Sequence, residues 1–349
     1  MRVQGIDYRT VWIKNDTIKI INQNRLPFAF EILDLPDVDS ACEAIVRMHV
    51  RGAGAIGALA GYAMALAFKN LNINNIDPPR EAKRKIEATR PTARNLFYAT
   101  EKVWTAGMEG GYRKAKETAE MLAEENIAEG RAIAEYGESL IPDECHIMTH
   151  CNAGWLGFVD WGSALAPIYM AHRKGKKIFV YVSETRPRLQ GARLTAWELT
   201  NEGIPHAIIS DGASAFIMQN NKVDAIITGA DRIALNGDTA NKIGTLDKAI
   251  LAHHYGIPFY VAAPLSTIDF NCPDGTKIPI EQREEAEVLF ANGINQEGHF
   301  VSVRLASPGS SAINPAFDVT PGNLINLFIT SQGFIKPEVI SSLKEKCHV

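Results

Sequence analysis

From residue 146 onward, short apolar runs alternate with helical stretches, and this alternation limits the folds that are open to the chain. The strand-like runs are His146–Cys151, Lys177–Ser183, Ala207–Ser210, Ala225–Thr228 and Pro258–Ala262. Helices are predicted between them, over residues 162–174, 189–202, 213–219 and 247–254. Strands that alternate with helices through short turns predict an α/β fold with a doubly wound, mainly parallel sheet.

The first part of the chain, to about residue 140, has a different pattern. Short strands are predicted in the stretch TVWIKNDTIKIIN. Helices follow, over residues 38–48, 54–68, 79–88, 91–106 and 112–141. Either Asp37 or Asp39 is placed to cap the first of these helices.

Composition excludes several classes of protein. The 349 residues are 46% hydrophobic and 22% charged, which is typical of a globular chain with a substantial core. The net charge is −4 and the basic residues are scattered, so no basic face for nucleic acid is expected. No apolar stretch approaches the length of a membrane span. The five cysteines contain no C-x-x-C pair, so a cytoplasmic location without structural disulfides or zinc is expected.

Gly52, Gly54 and Gly57 have the spacing G-x-G-x-x-G, which is typical of dinucleotide-binding turns. That interpretation requires a preceding strand, but the stretch DVDSACEAIVRMHV has helical spacing. Asp77, the acidic residue about twenty positions on, lies in a predicted loop. Two other uses remain for the glycines. One is a close-packed junction between helices, and the other is a phosphate seat at a helix start beside Arg51.

Polar residues follow the predicted strands of the second part, where ligands of open α/β sheets bind. The candidate residues are Cys151, Asn152, Glu184, Thr185, Arg186, Gln190, Asp211, Asp231, Asn241 and Lys242. Because they gather at one sheet edge, they indicate a site for a polar small molecule.

Each candidate also has a purely structural interpretation. Cys151 is either a small buried residue or a thiol that relays a proton or attacks a carbonyl. Asp231 either caps a turn or is a buried carboxyl whose raised pKa suits proton transfer. Gln190, Asn241 and Lys242 are either solvated surface residues or a set that binds an anion and hydroxyl groups.

No metal site is predicted. His253 and His254 are consecutive, so on a helix they point in different directions. No two histidines are four positions apart on one predicted helix. Arg90 and Arg94, in the stretch TRPTARNL near a helix start, are a second candidate for phosphate binding.

Seven motifs, which occur in order along nearly the whole chain, resemble those of the S-methyl-5-thioribose-1-phosphate isomerases of methionine salvage. They are VRGAGAIG, TRPTARNL, THCNAG, SETRPRLQGARLTAWEL, GADRIALNGDTANKIGT, PFYVAAPLSTID and NPAFDVTPGNLI. This family shares a superfamily with ribose-1,5-bisphosphate isomerases and regulatory subunits of a translation-initiation exchange factor. The resemblance implies a small, mostly helical N-terminal domain with a little sheet (1–125), a Rossmann-like catalytic domain (126–349) and a homodimer.

The resemblance also implies roles for individual residues. Cys151 matches the catalytic cysteine of the family and Asp231 matches its catalytic acid. The matching substrate-binding positions are Arg51, Gly52, Ala53, Arg90, Gln190, Asn241 and Lys242. The glycine loop would then hold a sugar phosphate, with no dinucleotide or other cofactor.

The implied reaction converts S-methyl-5-thio-α-D-ribose 1-phosphate to the ribulose 1-phosphate, through an enolate or a hydride shift. Gly54, Ser183, Arg94 and the stretch DGASAF depart from the usual family pattern. They leave 5-deoxyribose 1-phosphate as an alternative substrate, with ribose 1,5-bisphosphate less supported. A non-catalytic regulatory subunit and a nicotinamide oxidoreductase are the hypotheses from other classes.

Overall fold

In the computed structural model of the protein, the described residues are 1–69, 76–91, 93–220 and 222–346. Two sequence-based expectations lie partly outside them, namely the loop predicted over residues 72–80 and Thr92 of the motif TRPTARNL. Within the described ranges, no helix combines the length and apolar character that crossing a membrane requires.

The chain forms two compact units. The first comprises Met1–Ala132 and Ala153–Ala166, and the second comprises Ile133–Asn152 and the chain from Pro167 onward. The first unit is therefore discontinuous in sequence.

This division differs from the expected boundary after residue 125. Residues 126–132 and the segment Ala153–Ala166 belong to the first unit. Buried hydrogen bonds explain the position of the later segment. The Thr10 hydroxyl donates to the carbonyl of Trp155 at 2.8 Å, for example, and the Trp155 side chain is fully buried.

Small antiparallel sheets and helices make up the first unit. Its elements are β1 (Arg2–Val3), β2 (Ile6–Asp7), β3 (Val11–Lys14), β4 (Thr17–Ile21), β5 (Ile32–Leu35), α1 (Val38–Val46), α2 (Ala53–Ala67), α3 (Asp77–Thr89) and most of α4 (Arg94–Glu138). Strand β1 pairs with β2, and β3, β4 and β5 form a three-stranded sheet. The backbone of α4 is not helical at Gly110 and Gly111, so the break predicted between residues 106 and 112 is confirmed.

The N-terminus of α1 follows from its sequence. Asp37 accepts the backbone N–H of Ser40 at 2.8 Å and forms a capping box with it, as predicted. The element before the glycine motif is thus a helix, and the strand required by a dinucleotide-binding turn is not there. The loop predicted over residues 72–80 ends earlier than expected. Helix α3 begins at Asp77, because prolines are well tolerated in a first helical turn.

The second unit contains most of the sheet. Its strands are β6 (Cys145–Thr149), β7 (Ile178–Ser183), β8 (His206–Ile209), β9 (Ala225–Thr228), β10 (Arg232–Ala234), β11 (Thr239–Lys242), β12 (Phe259–Ala262), β13 (Ile268–Asp269), β14 (Phe290–Ile294), β15 (Phe300–Arg304), β16 (Phe317–Thr320), β17 (Leu327–Thr330) and β18 (Gly333–Ile335). Its helices are α5 (Ala166–Arg173), α6 (Ala196–Glu202), α7 (Ser214–Gln219), α8 (Thr245–Tyr255), α9 (Ala286–Leu289) and α10 (Ile340–Lys346). Helix α5 begins later than predicted because Gly162 has a φ of +83°, which is not helical.

A seven-stranded sheet in the order β18-β17-β12-β9-β6-β7-β8 forms the centre of this unit. All of its strands are parallel except β18 at the edge. The predicted doubly wound parallel sheet is therefore confirmed. From β6 the chain builds outward through β7 and β8, and it then returns to β9 on the other side of β6. The strand order thus reverses between β6 and β9, which is where such folds bind ligands.

Two further sheets were not predicted from the sequence. One is four-stranded, in the order β13-β10-β11-β16, and the other is the hairpin β14–β15. The strands of the first sheet are only two to four residues long. Such short strands do not generate a clear period in the sequence.

Gly52 provides a stability test of the first unit. Its φ is +88°, and a Cβ there would lie 2.3 Å from the carbonyl oxygen of Gly157. Gly5 has a similar φ of +83°, but a Cβ there would meet nothing within 4 Å. We expect Gly5→Ala to lower the free energy of unfolding by about 1 kcal/mol and Gly52→Ala by about 3–5 kcal/mol. Urea unfolding of both variants measures the difference, and equal losses would contradict the close backbone contact.

Candidate active site

In the first unit, Gly52 is the N-cap of α2, Ala53 is its first residue, and Arg51 precedes both. Because its N-cap is a glycine, this helix has no N-cap side chain to bind its first N–H groups. The first N–H groups of a helix have no partner within it, so such a terminus attracts an anion. Arg51 is half-buried beside this terminus. Arg90, also half-buried, ends helix α3.

The glycines of the motif also satisfy tight packing. A Cβ at Gly54 would lie 2.7 Å from the Phe158 ring, and one at Gly57 would lie 3.2 Å from Asn95. The close-packed helix junction considered for this motif is therefore present. This packing is compatible with phosphate binding at the same helix terminus. Close packing depends on the missing side chains of the glycines, whereas an anion would bind the backbone N–H groups.

In the second unit, Cys151 follows β6 and is half-buried. Its φ of +64° lies in the left-handed region, which is uncommon for residues other than glycine. Two threonines hold its backbone. The Cys151 N–H donates to the Thr185 hydroxyl at 2.8 Å, and the Thr195 hydroxyl donates to the Cys151 carbonyl at 2.7 Å.

His150 is almost fully buried beside Cys151. Its Nε2 lies 2.8 Å from the carbonyl oxygen of Ile243, so Nε2 carries the proton. Its Nδ1 faces the Thr185 hydroxyl at 3.5 Å and Asp211 at 3.9 Å. Burial, together with the nearby Lys248 charge, lowers the pKa of His150 well below 6.5. The ring is therefore neutral, and both of its nitrogens face groups other than the Cys151 thiol.

Gln190 is 6% exposed, and its Oε1 has no hydrogen-bond partner among the described residues. Leaving a buried carbonyl oxygen unpaired costs free energy, so the arrangement needs an explanation. A hydrogen-bond donor on a bound ligand would satisfy this oxygen. The residue begins the π-helical turn Gly191–Thr195, a backbone form found frequently at functional sites.

Asp231, Asn241 and Lys242 lie together on the β10–β11 hairpin and the turn before it. The N–H of Asp231 donates to the carbonyl of Ala240 at 2.9 Å, which places Asp231 next to Asn241. The Lys242 ammonium donates to the carbonyl of Ala316 at 2.8 Å. Asn241 and Lys242 are buried, so the interpretation of both as solvated surface residues is wrong.

The expectation that Asp231 is buried is also wrong. Its side chain is exposed. The reason is that β9 ends at Thr228, three residues earlier, and the turn between them carries Asp231 away from the buried strand.

The second carboxyl at this edge is Asp211, which follows β8. Its carboxylate accepts the Ser183 hydroxyl at 2.6 Å, the Thr185 N–H at 2.9 Å and the Arg186 N–H at 2.7 Å. Burial raises the pKa of Asp211, but these hydrogen bonds outweigh it and hold the pKa below its ordinary value. Asp211 is therefore a poor general acid.

Sequence analysis did not identify Thr195 or Glu198. The Glu198 carboxylate is fully buried, and it accepts the Tyr169 hydroxyl at 2.5 Å and the Asn152 amide at 3.2 Å. It thereby fixes the residue that follows Cys151. The position of Glu198, between the apolar residues Trp197 and Leu199, was a usable signal. A carboxylate is rarely buried on an apolar helix face unless it is paired, so an acidic residue there indicates a buried hydrogen-bond network.

Of the nine residues to which the resemblance assigns roles, five lie in the second unit, at the carboxyl edge of the large sheet or on the adjoining hairpin. They are Cys151, Gln190, Asp231, Asn241 and Lys242. The His150–Ile243 hydrogen bond joins the Cys151 turn to the segment after Lys242. Across the described ranges, no three His, Cys, Asp or Glu side chains are grouped as metal ligands would be.

Comparisons with known proteins identify close relatives. Residues 49–337 match the family described as Initiation factor 2 subunit family. A methylthioribose-1-phosphate isomerase of Methylocella silvestris is 46% identical, with 96% of each chain covered. The crystal structure of 5-methylthioribose 1-phosphate isomerase from Pyrococcus horikoshii OT3 superposes with a TM-score of 0.88 at 40% identity, over 97% of this chain and 95% of that one. The translation initiation factor eIF-2B subunit delta from A. fulgidus gives a TM-score of 0.84 at 36% identity, over 97% and 99% of the two chains.

The buried neutral His150 predicts a pH dependence of stability. Below its ordinary pKa of 6.5, the unfolded state binds a proton that the folded state does not, so stability falls as the pH falls. Between pH 6.5 and about pH 5 the loss from this group approaches about 2 kcal/mol. In His150→Gln, which keeps an N–H donor, we expect a shallower slope of unfolding free energy against pH. Urea unfolding at several pH values measures it. The same slope in both proteins would show that folding does not lower the pKa of His150.

Proposed function

The chain belongs to the initiation factor 2 subunit family, and within it we propose that the protein is an aldose–ketose isomerase. Its substrate is S-methyl-5-thio-α-D-ribose 1-phosphate and its product is the corresponding ribulose 1-phosphate, a step of methionine salvage. Relatives and a solved structure named for this reaction align with nearly the whole chain. The observation that carries the proposal is that Cys151 and Asp231 follow the two paired strands β6 and β9, where the strand order reverses.

The substrate phosphate is bound, in this proposal, by the first unit. The N–H groups at the start of α2, from Gly52 and Ala53 onward, supply donors together with the positive end of the helix dipole. Arg51 and Arg90 supply charge-assisted hydrogen bonds. The glycine N-cap, which has no side chain to bind these N–H groups, supports this role.

The reaction has to begin with ring opening. A sugar 1-phosphate is an acetal without a free aldehyde, so its ring oxygen must be protonated before C1 and C2 can exchange oxidation states. We assign this protonation to Asp231, whose backbone is bonded to the strand that carries Asn241 and Lys242. Asn241 and Lys242 lie beside it and would bind the sugar hydroxyls or the phosphate. The unpaired Gln190 oxygen accepts a further hydroxyl.

After ring opening, C2 is oxidised and C1 is reduced within the same molecule. The electrons balance inside the substrate, so the reaction requires no nicotinamide or other redox cofactor. Two routes lead to the product. Either Cys151 moves a proton between the two carbons through an enolate, or hydride shifts directly while the thiol stabilises the transition state. Both routes require the thiol beside C1 and C2.

The substituent at C5 distinguishes the alternatives. A panel of ribose 1-phosphates that carry methylthio, hydrogen, hydroxyl or phosphate at C5 tests the assignment directly. We expect the highest kcat/KM for the methylthio sugar. A higher value for 5-deoxyribose 1-phosphate or ribose 1,5-bisphosphate would reassign the substrate. Turnover of none of these sugars would favour a non-catalytic regulatory subunit. The A. fulgidus relative is named as a subunit of a translation initiation factor.

The homodimer that the resemblance implies stays a prediction. Sedimentation equilibrium of the purified chain, 38.3 kDa by sequence, separates a dimer from a monomer.

The role of Asp231 leads to a further prediction. Asp231→Asn keeps the shape of the side chain and its hydrogen bonding to the sugar but removes the acidic proton. We therefore expect turnover of the locked 1-phosphate to fall by about 10²–10⁴-fold, with substrate binding retained. A ring-opened substrate analogue should lose far less, and isothermal titration measures binding. Near-wild-type turnover of the locked sugar by Asp231→Asn would assign the acid to another residue.

A further inference from the structure

Cys151 is not the only residue at the sheet edge with a left-handed backbone. Thr185 has a φ of +65°. Left-handed conformations are a genuine outlier for β-branched residues, and they persist only where neighbouring groups over-determine them. Cys151 and Thr185 are also joined by a hydrogen bond, from the Cys151 N–H to the Thr185 hydroxyl. The two unfavourable conformations therefore belong to one arrangement.

The Asp211 carboxylate holds the Thr185 turn. One of its oxygens accepts the N–H of Thr185 and the other accepts the N–H of Arg186, at 2.9 and 2.7 Å. The hydroxyl of Ser183 donates to the same carboxylate at 2.6 Å. Consecutive N–H groups that converge on one carboxylate fix the turn, since the loss of either oxygen leaves an N–H without its acceptor.

The Thr185 hydroxyl has a defined direction. It donates its hydrogen to the carbonyl of Ser183 at 2.9 Å, which leaves a lone pair to accept the N–H of Cys151. On its other side, the Cys151 carbonyl accepts the hydroxyl of Thr195 at 2.7 Å. Both main-chain polar groups of Cys151 are thus bound by the segment that begins with Ser183.

Nearby backbone leaves little room for this arrangement to relax. A Cβ at Gly191 would lie 1.8 Å from the carbonyl oxygen of Ser183. The same carbonyl receives the Thr185 hydroxyl. The end of β7 and the π-helical turn are therefore in direct contact. Thr185 follows the strand end and Thr195 ends the π-helical turn, so this contact fixes the spacing of the two threonines that bind Cys151.

We propose that Asp211 is a positioning residue which acts through Thr185 to hold the Cys151 thiol in place for the isomerisation. The inference rests on the proposed function of Cys151 and assigns Asp211 no proton transfer. Carboxylate, turn, hydroxyl and Cys151 backbone form one chain of hydrogen bonds. Because small displacements of a reacting group cost large factors in rate, this chain controls turnover without touching substrate.

Thr185→Val tests the proposal, because valine keeps the β-branched shape and removes only the hydroxyl. We expect kcat to fall by about 10–100-fold with KM changed by less than about twofold. Thr185→Ser restores the hydroxyl and should recover most of the lost rate. Thr330→Val is the matched control, since it removes another buried hydroxyl, one that donates to the carbonyl of Gly333 in the β17–β18 turn. It should lower stability without changing kcat.

A second readout does not depend on activity. Iodoacetamide alkylates accessible thiols, and peptide mass spectrometry measures the rate at Cys151 separately from the other cysteines. We expect this rate to differ from the wild-type value by at least about threefold in Thr185→Val and to stay at the wild-type value in Thr330→Val. If the wild type isomerises no sugar phosphate, the proposed function fails while the alkylation rates still test the positioning.

Asp211→Asn provides an independent variant if Thr185→Val does not fold. It replaces one accepting oxygen with a donating amide, so kcat and the alkylation rate should shift in the same directions as in Thr185→Val. A folded Thr185→Val or Asp211→Asn protein with wild-type kcat and wild-type alkylation of Cys151 would overturn the proposal.

Discussion

Main-chain hydrogen bonds hold β6 beside β9 at the position where the strand order of the large sheet changes direction. The Thr149 hydroxyl adds a bond across this pair, to the carbonyl of Ile227 at 2.8 Å. Because parallel strands end at the same edge, the pairing delivers the turns that carry Cys151 and Asp231 to neighbouring positions. A one-residue shift in the register of either strand would displace its turn relative to the other and move its side chains to the opposite face of the sheet.

Polar groups buried behind this edge keep its geometry. Lys248 is 1% exposed, and burial lowers its pKa although three carboxylates lie near it. Burial raises the pKa of Asp318 to about 6, while its carboxylate accepts the N–H groups of Gly244 and Leu246 and so anchors the start of α8. Burying such groups is costly unless they are hydrogen-bonded. Here Asp318 and Lys248 bind the backbone just after Lys242, at Gly244 and Leu246, which preorganises this part of the edge.

The sequence predicted the parallel sheet well because its strands are continuous apolar runs separated by helices. It missed the sheet that contains β11, because strands of two to four residues pair there with partners far along the chain. Asp231 was expected to be buried because an apolar run precedes it in the sequence, whereas the strand ends three residues earlier. The threonine hydroxyls that bind Cys151 have no signal in one sequence, since their roles arise only when residues 34 and 44 positions apart meet.

The discontinuity of the first unit bears on how the protein is made. Its buried segment Ala153–Ala166 includes Trp155 and Leu156, whose carbonyls accept the side chains of Thr10 and Gln23. During synthesis from the N-terminus, the ribosome must translate strand β6 of the second unit before this segment exists. The first unit therefore cannot complete its core as the leading, independent domain of the nascent chain, although N-terminal domains usually fold first. A fragment of residues 1–132 would likewise lack Ala153–Ala166, so the surface that this segment covers would be exposed.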